Sequence, residues 1–456
     1  MIALLVAVPL AFAFASVVNK KLGNYLLPLV SLFNIGLLLF FTKPNAVVEI
    51  GGWPSVYGIG LALDKVNYPF LIFVNVLILL VSLSASLEER YGTLLLVLLS
   101  ALNGLMLTAD YFNSFVFLEI IAAVSYIIAS HKNNSYGAFK YLIFGRVAGI
   151  FYLIGAVLMY IKSGTLNIGY AGYIIDPYVV PTVAIFFLLA LLVELKVLPL
   201  GLWAVDVYSN GSSITPVVLG TAVTVSIVYL FSRLFLGVLG LEQAYIIVII
   251  AMISILLAQL GALKQKSLPR VLAFAAISGA SVVVAGLSTM NESVISASYM
   301  YLFNDAISKF ILFTIVAYLG QKGFKNDKTS GIAFTIASLS LIGFPMFAGF
   351  WEKFYLLKSL FEIENYTLPA VILIATIIEA GYLIKWNVDL WYTDHEVENT
   401  DEEYLPFAPQ LIVLLLVMVL VIVGFLPQIV HTQTNNIATH LMDFKAYFDL
   451  IIKGGM

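Results

Sequence analysis

The fold is indicated best by FNDAISKFILF at residues 303–313 and GFPMFAGFWEKF at residues 343–354. The first stretch carries Asp305 and Lys309 within an apolar run. The second interrupts an apolar run at Pro345 and carries Lys353 just beyond it. Proline removes a backbone donor and leaves the carbonyl of Leu341, four residues earlier, without its helical partner. Charged and broken apolar runs of this kind are typical of membrane helices that are covered by protein or line a wet cavity.

A similar break occurs in the first half of the chain, in ELKVLPLGLW at residues 194–203. Pro199 interrupts this run, and Lys196 lies beside the break as Lys353 lies beside the other. Interrupted membrane helices at corresponding places in two halves point to inverted repeats. Glu194 and Lys196 are two residues apart, so on a regular helix their side chains would point about 200° away from each other.

The composition of the whole chain is that of a membrane protein. Of its 456 residues, 61% are hydrophobic and 11% are charged, and the mean hydropathy is +1.02. A soluble domain has about 25% charged residues, so a soluble globular enzyme is excluded. A membrane helix needs about 20 apolar residues. The chain is therefore predicted to be an all-α polytopic membrane protein with about fourteen spans, near residues 2–18, 24–41, 68–86, 91–108, 112–130, 138–161, 179–199, 211–235, 243–262, 270–288, 294–318, 330–360, 367–391 and 408–426.

Several classes of site are not expected. The chain has no cysteine, which excludes thiolate metal sites and iron–sulfur ligation. Its net charge of −3, without a basic run, argues against nucleic acid as a partner. The histidines show no metal-ligand spacing and are expected on the surface. We therefore expect neither cofactor nor metal in this chain, and any electron transfer would have to occur elsewhere.

Loop charges predict how the chain is oriented in the cell membrane. Most loop Lys and Arg residues fall in alternate loops, which the positive-inside rule places in the cytoplasm. An even number of spans then puts both termini outside. The loop Asp394–Glu403 is rich in acids and is expected to be solvated, with a docking surface as the alternative. The positive residues assigned to the cytoplasmic side are Lys20, Lys21, Arg90, Lys132, Lys140, Lys264, Lys266, Arg270, Lys322, Lys325 and Lys328.

Ionisable residues inside the predicted spans are the first candidates for function. One such group costs about 2.5–3.5 kcal/mol at the centre of a membrane helix, so it is seldom retained without a role. Static ion pairs that fix helix packing are the alternative for any one residue. Charges of both signs in both halves favour an ion relay. The residues concerned are Glu119, Arg146, Glu194, Lys196, Asp305, Lys309, Lys353, Glu379 and Lys385.

With these motifs in place, nearly the whole chain resembles a known family. The family comprises the antiporter-like large subunits shared by respiratory complex I, Mrp-type cation/proton antiporters, and membrane-bound hydrogenases and sulfur reductases. Besides the motifs at 303–313 and 343–354 and the break at 198–208, LPLGLWAVDVY, the resemblance rests on three more stretches. They are GGWPSVYGIGLALD at 51–64, like the family's external hairpin, FVFLEIIAAVSYIIA at 115–129, like its glutamate helix, and PRVLAFAAISGA at 269–280, like its tenth helix.

The resemblance implies a fold of fourteen helices with two inverted five-helix repeats, each containing a broken helix. The implied divisions are 1–90 for three spans and the external hairpin, 91–237 and 243–394 for the repeats, and 395–456 for the acidic loop, last span and external tail. It also implies that ions move along midplane Glu and Lys residues. By matching motifs, the translocation residues are Glu119, Lys196, Asp305, Lys309 and Lys353, with Glu194, Asp206, Glu379 and Lys385 as possible relay members.

The chain departs from the family pattern mainly in its first half. Glu194 stands where the lysine of the first broken helix belongs, and Lys196 is displaced by two residues. Val225 occupies the position of another usual lysine, and Asp305 replaces a frequent histidine. We therefore expect the second half to be competent for transport and the first half to be altered or weakened.

The resemblance implies an ion-translocating subunit, for protons or sodium, of an energy-converting respiratory complex. Its partners would be other membrane antiporter-like subunits, peripheral iron–sulfur or nickel–iron redox subunits, and the lipid bilayer. This chain would be the non-redox subunit of such an oxidoreductase. Two alternatives stay open: the large subunit of a Mrp-type secondary antiporter, which Tyr208 favours, and a structural subunit with a partly inactive channel, which Glu194 and Val225 favour.

Overall fold

The computed structural model describes residues 1–84, 91–130, 134–210, 214–239, 245–320, 323–392 and 404–454. Helices make up nearly all of these segments. The predicted acidic loop Asp394–Glu403 lies outside the described residues, as do Arg90, Lys132 and Lys322 among the orienting charges.

Helices of the first half follow one another with short connections. Asp110 begins one of them, because its carboxylate accepts a hydrogen bond from the backbone N–H of Asn113 at 2.7 Å. The helices are α1 (Leu4–Ser16), α2 (Lys20–Gly36), α3 (Asn67–Ser84), α4 (Tyr91–Leu107), α5 (Tyr111–Ala129), α6 (Ser135–Ser163), α7 (Ile168–Ile174), α8 (Val180–Glu194), α9 (Trp203–Asn210), α10 (Ile214–Val218) and α11 (Thr224–Ser232). Wider π-helical turns continue three of them, at Leu37–Phe41, Leu219–Val223 and Arg233–Val238.

The second half is also helical and continues into two C-terminal helices. Asn291 caps its longest helix by accepting hydrogen bonds from the backbone of Ser293 and Val294. The helices are α12 (Tyr245–Leu263), α13 (Leu268–Leu287), α14 (Glu292–Leu319), α15 (Lys328–Ile342), α16 (Ala348–Glu362), α17 (Thr367–Tyr392), α18 (Phe407–Phe425), α19 (Gln428–Met442) and α20 (Phe444–Gly454).

The lengths of the helices confirm the all-α polytopic membrane class. Within the described residues, 10 helices are long and apolar enough to cross a membrane. Shorter apolar helices lie between them, and two of these, α8 and α15, are short because the chain breaks where the prolines predict. The total of fourteen spans stays a prediction. The shorter apolar helices are Leu4–Ser16, Tyr91–Leu107, Val180–Glu194 and Lys328–Ile342.

A small hairpin interrupts the helical pattern between α2 and α3. Strands β1 (Ala46–Glu49) and β2 (Gly60–Leu63) pair antiparallel, with Ala46 opposite Leu63. The hairpin overlaps the segment 51–64 that resembles an external hairpin, and it leads directly into α3. Thr165 and Asn167, between α6 and α7, donate to backbone carbonyls in its loop at 2.6 and 2.8 Å.

Burial divides the helices into a central and an outer group. The helical run Ile214–Val238 and helix α13 are buried along almost their whole length, and α14 along most of it. Helices α6, α17 and α18 expose large apolar side chains along one face. Because α14 bears Asp305 and Lys309, this arrangement places those charges in the interior of the bundle.

The C-terminal segment has more structure than the sequence indicates. The sequence predicts a tail after the last span, whereas α19 packs back onto the bundle through Ile437, Ala438 and Leu441 and α20 through Tyr447 and Ile451. Tyr173 of α7 and Phe448 of α20 stack with their ring centroids 4.3 Å apart. These helices are amphipathic and too polar to be recognised as spans, so hydropathy alone does not find them.

Candidate functional site

The first broken helix places Lys196 at the point where α8 ends. Lys196 has a left-handed backbone with φ of 63°, so its side chain leaves the direction that a regular helix would give it. The indole N–H of Trp203 donates to the carbonyl of Val193 at 3.1 Å and so supplies a donor to one of the last carbonyl groups of α8. Gly201 is required here, since a Cβ would lie 1.8 Å from the Lys196 carbonyl oxygen.

The Lys196 ammonium is buried among neutral oxygen atoms. It donates to the Tyr208 hydroxyl at 3.0 Å, to the Leu219 carbonyl at 3.3 Å, and to the Thr224 hydroxyl at close range. Leu219 begins the wide turn that joins α10 to α11, and Thr224 is the first residue of α11. No carboxylate of the described residues forms an ion pair with Lys196. Lys196, just beyond the end of α8, therefore projects onto the neighbouring membrane helix.

Glu194 points to a different set of neighbours. Its carboxylate accepts a hydrogen bond from the Tyr141 hydroxyl at 3.3 Å. The Tyr141 ring stacks on Trp203, with centroids 3.8 Å apart and the planes 2° from parallel. A cavity of about 10 Å³ separates Glu194 from Glu119 and is lined by small residues of α5, α6 and α8. This volume is close to what one water occupies, so the two carboxylates can share a water.

Glu119 forms a close ion pair with Arg146 of α6. The Arg146 side chain is 55% exposed on the outer face of the bundle, among exposed apolar side chains such as Val147 and Ile150. A guanidinium on this face is costly unless it is paired or covered. The sequence indicates both charges but not that they pair.

Asp206 lies in an ion-pair cluster near one end of the bundle. Its carboxylate accepts from Lys140 at 2.6 Å and from Arg270 at 3.4 Å, and all three side chains are partly exposed. Asp206 therefore lies apart from the fully buried charges.

The second half contains a buried pair on one helix. Lys309 donates to Asp305 at 2.5 Å, as their spacing of four residues on α14 allows. Gly279 of α13 makes room for the pair, since a Cβ there would lie 2.5 Å from the ammonium and 2.6 Å from the carboxylate. Both side chains are almost fully buried.

The second broken helix holds Lys353 between the break and α17. Its ammonium donates to the carbonyls of Leu341 and Ile342 at 2.6 and 3.3 Å. It also donates to the Thr376 hydroxyl and to the Glu379 carboxylate, each at 3.3 Å. The lysine therefore satisfies carbonyls at the end of α15 and forms a buried ion pair with Glu379.

Lys385 takes no part in this arrangement. It lies on the exposed side of α17, whereas Glu379 on the same helix is buried. The two positions are six residues apart, which turns their side chains to different faces of the helix.

The buried charges form one electrostatic row across the bundle. Glu194 interacts with Glu119 on one side and with Lys196 on the other. Lys196 interacts with Asp305 and Lys309. Glu379 then interacts with Lys309 and Lys353. A change of charge at one member changes the free energy of charging its neighbours, which is the property an ion relay needs.

The sequence analysis missed two polar residues that lie next to these charges. Tyr141 is one of them, because a tyrosine in an apolar helix carries no signal of its own. Glu352 is another: it stands beside Lys353 within the motif at 343–354 and is 1% exposed. An acid inside a span is itself a functional signal, so Glu352 could have been found from the sequence.

Known proteins share both the sequence pattern and the fold. The family described as NADH:quinone oxidoreductase/Mrp antiporter, transmembrane, matches residues 108–379. A Na⁺/H⁺ antiporter subunit of Alkalihalophilus pseudofirmus is 25% identical over 443 residues, covering 89% of this chain and 88% of that protein. An NADH-quinone oxidoreductase subunit of Desulforudis audaxviator is 27% identical over 368 residues, covering 74% and 73%.

Solved structures give the same result. A chain of the membrane-bound sulfane sulfur reductase, an archaeal respiratory membrane complex, has a TM-score of 0.88 at 25% identity, with 99% of each chain covered. A chain of the Mrp complex from a Dietzia species has a TM-score of 0.89 at 20% identity, again with 99% of each covered. This chain is thus an antiporter-like, multi-pass membrane subunit, and it belongs to the NADH:quinone oxidoreductase/Mrp antiporter transmembrane family.

Proposed function

We propose that this chain is the ion-translocating subunit of an energy-converting respiratory complex and carries protons or sodium ions across the cell membrane. The buried row of charges that ends in Asp305, Lys309, Lys353 and Glu379 is the observation that carries the proposal. Membrane proteins rarely retain such groups without a role, and here each acts electrostatically on the next.

The second half is proposed to be the competent part of the relay. Its two buried ion pairs each combine a lysine with a carboxylate, at 2.5 and 3.3 Å. Moving a proton within such a pair neutralises both partners, and this change alters the charge felt by the next pair. Inverted repeats at 91–237 and 243–394 belong to this proposal. The breaks support them, because each follows the fourth long helix of its range, α8 in the first when the seven-residue α7 is set aside and α15 in the second.

The first half is proposed to keep a relay whose charged residues are altered, rather than to lack one. Val225 is buried and uncharged, but the Lys196 ammonium contacts the adjacent Thr224. A lysine just beyond α8 thus supplies a positive charge beside the position where the family pattern has one. Arg146 opposes any change of charge on Glu119, because protonating the carboxylate leaves the guanidinium without its partner.

The complex is proposed to contain other antiporter-like subunits and peripheral iron–sulfur or nickel–iron subunits. Both termini and the hairpin would lie outside the cell, and Lys140 and Arg270 inside. The sulfur reductase resemblance supports a redox complex, because that chain is 25% identical to this one whereas the Mrp chain of equal coverage is 20% identical. This subunit would transmit the energy of redox reactions that other subunits perform.

A Mrp-type secondary antiporter is the second candidate. It is favoured by the Na⁺/H⁺ antiporter subunit from Alkalihalophilus pseudofirmus, which matches 89% of this chain, and by Tyr208 on Lys196. A structural subunit with a partly inactive channel is the third, favoured by the Glu119–Arg146 pair.

Purification of the tagged chain from its native membranes in mild detergent distinguishes these candidates. Iron–sulfur absorbance and redox subunits among the co-purifying proteins are expected for the respiratory complex. Metal-free antiporter subunits alone would instead favour the secondary antiporter. Ion uptake by vesicles containing the purified complex tests transport itself, and a complex without uptake would favour the structural role.

A further inference from the structure

The Glu352 carboxyl group is buried on α16 next to the relay. Its Oε2 atom has no hydrogen-bond partner among the described residues. The group interacts electrostatically with Lys353 and Glu379, and with Asp305 on the facing helix. A buried carboxyl oxygen without a donor is costly unless a proton or a water satisfies it.

Asn304 of α14 presents the complementary group. Its side-chain oxygen accepts from the Ser340 hydroxyl at 3.0 Å, while its amide nitrogen has no partner in the described part of the chain. This nitrogen faces α16, since a Cβ on Gly349 would lie 3.3 Å from it. Glu352 follows Gly349 by one helical turn and interacts with Asn304. The Glu352 carboxyl group and the Asn304 amide therefore face each other between α16 and α14.

A cavity of about 30 Å³ extends from Asn304 between α14, α16, α18 and α19. It has room for about two waters, at roughly 10–15 Å³ each. Asn304 supplies the polar part of its wall, and Val423 and Val430 close its far end. Val430 belongs to α19, which follows the last apolar helix, so the cavity extends from Asn304 toward that helix.

We propose that Glu352 and Asn304 form a proton-transfer station between Lys353 and this cavity, on a branch that releases protons beneath α19. The inference rests on the proposed function. In the transfer, the Lys353 ammonium loses one proton through a water to the Glu352 carboxylate, so both groups become neutral. Glu352 then loses the proton to a water in the cavity, and Asn304 holds that water in place.

A role in packing alone does not account for these features. Leucine would fill a similar volume without the cost of burying a carboxyl group. An acid that merely paired with Lys353 would not need an amide donor and a cavity on its other side, because Glu379 already supplies the ion pair.

The test uses the purified native complex, reconstituted into vesicles with a pH-sensitive dye. E352Q is expected to lower proton transport by about tenfold or more, because glutamine cannot accept the proton. E362Q is the matched control on the same helix, since Glu362 is exposed and its ion-pair partner among the described residues is Lys358, at 3.7 Å. Wild-type transport in an assembled E352Q complex would overturn the proposal.

Two further variants distinguish a failure of this station from a failure of the whole relay. K309A, measured in parallel, tests the proposed function itself: transport by K309A would overturn that function, whereas an inactive K309A beside a fully active E352Q overturns only the station. V423F fills the cavity without changing any charge and is expected to slow transport even if E352Q fails to assemble. An assembled V423F complex that transports at the wild-type rate would contradict the proposal.

Infrared difference spectra between two pH values detect protonation of Glu352, which a purely structural role would not require. The carbonyl band of a protonated carboxyl group is expected in the spectra of the wild-type complex and of E362Q. In E352Q this band is expected to lose intensity. An unchanged band in E352Q would show that Glu352 does not exchange protons.

Discussion

The Lys353 ammonium lies 2.6 Å from the carbonyl oxygen of Leu341, the carbonyl that Pro345 deprives of its helical partner. The lysine thus replaces the missing backbone donor and also pairs with Glu379 at 3.3 Å. One side chain therefore connects the broken helix to the relay. A change in its protonation weakens or strengthens both interactions together.

Replacing Lys353 with methionine should abolish ion transport and leave the carbonyl of Leu341 without this donor. We expect a loss of stability of about 1–3 kcal/mol, since a buried acceptor and the Glu379 carboxylate both lose a partner. Thermal unfolding and vesicle uptake measure the two effects. K358M on the same helix is the control, because Lys358 is exposed. Normal uptake in K353M would remove Lys353 from the relay.

Replacing Lys309 with alanine should abolish ion translocation. The variant leaves Asp305 buried without its ion-pair partner and interrupts the electrostatic row between Lys196 and Glu379. Uptake by vesicles containing the complex measures the effect, with K266A on an exposed loop as the control. Pumping at the wild-type rate in K309A would contradict the ion-relay assignment.

Exchanging Lys196 for methionine should slow transport, and adding V225K should restore part of it. The reason is that the Lys196 ammonium already lies beside Thr224, so a lysine on α11 returns a positive charge to the same neighbourhood. Uptake rates of the single and double variants provide the comparison, with V225M as a volume control. If K196M/V225K transports no faster than K196M, a lysine at position 225 cannot replace the Lys196 ammonium.

Removing both members of the Glu119–Arg146 pair should be tolerated better than removing Arg146 alone. R146L leaves a carboxylate unpaired at membrane depth, at a cost of about 2.5–3.5 kcal/mol, whereas R146L/E119L leaves no charge. The yield and thermal midpoint of the assembled complex measure this difference. If second-half residues carry the ions, the double variant also keeps transport. If the double variant is less stable than R146L, the ion pair is not a purely structural contact.

Replacing Gly279 with alanine should affect transport more than stability. The added Cβ would lie 2.5 Å from the Lys309 ammonium, which must move, and a flexible side chain can do so at little cost. Uptake is expected to fall by about tenfold, while the thermal midpoint changes little. G36A is the control, because nothing lies within 4 Å of its Cβ position. Unchanged uptake in G279A would mean that the Asp305–Lys309 geometry is not critical.

Much of the fold follows from the sequence because hydropathy and proline act locally. Apolar length predicts the helices, and Pro199 and Pro345 predict that α8 and α15 end early. The spacing of Asp305 and Lys309 likewise predicts that they can meet, since residues four apart share a helix face. The amphipathic tail helices α19 and α20 escape this reasoning, because they are stabilised by packing onto the bundle.

The order of residues along the chain determines the membrane class, the broken helices and the family resemblance. It also determines the set of charges within the bundle. Which of those charges meet depends on how the helices pack. Lys196 reaches α11 because its backbone is left-handed at the break, Glu119 pairs with an arginine 27 residues away, and Asp206 joins a cluster near the surface. Hydropathy and local spacing depend on neighbours along the chain, whereas ion pairs between helices depend on the three-dimensional arrangement of distant segments.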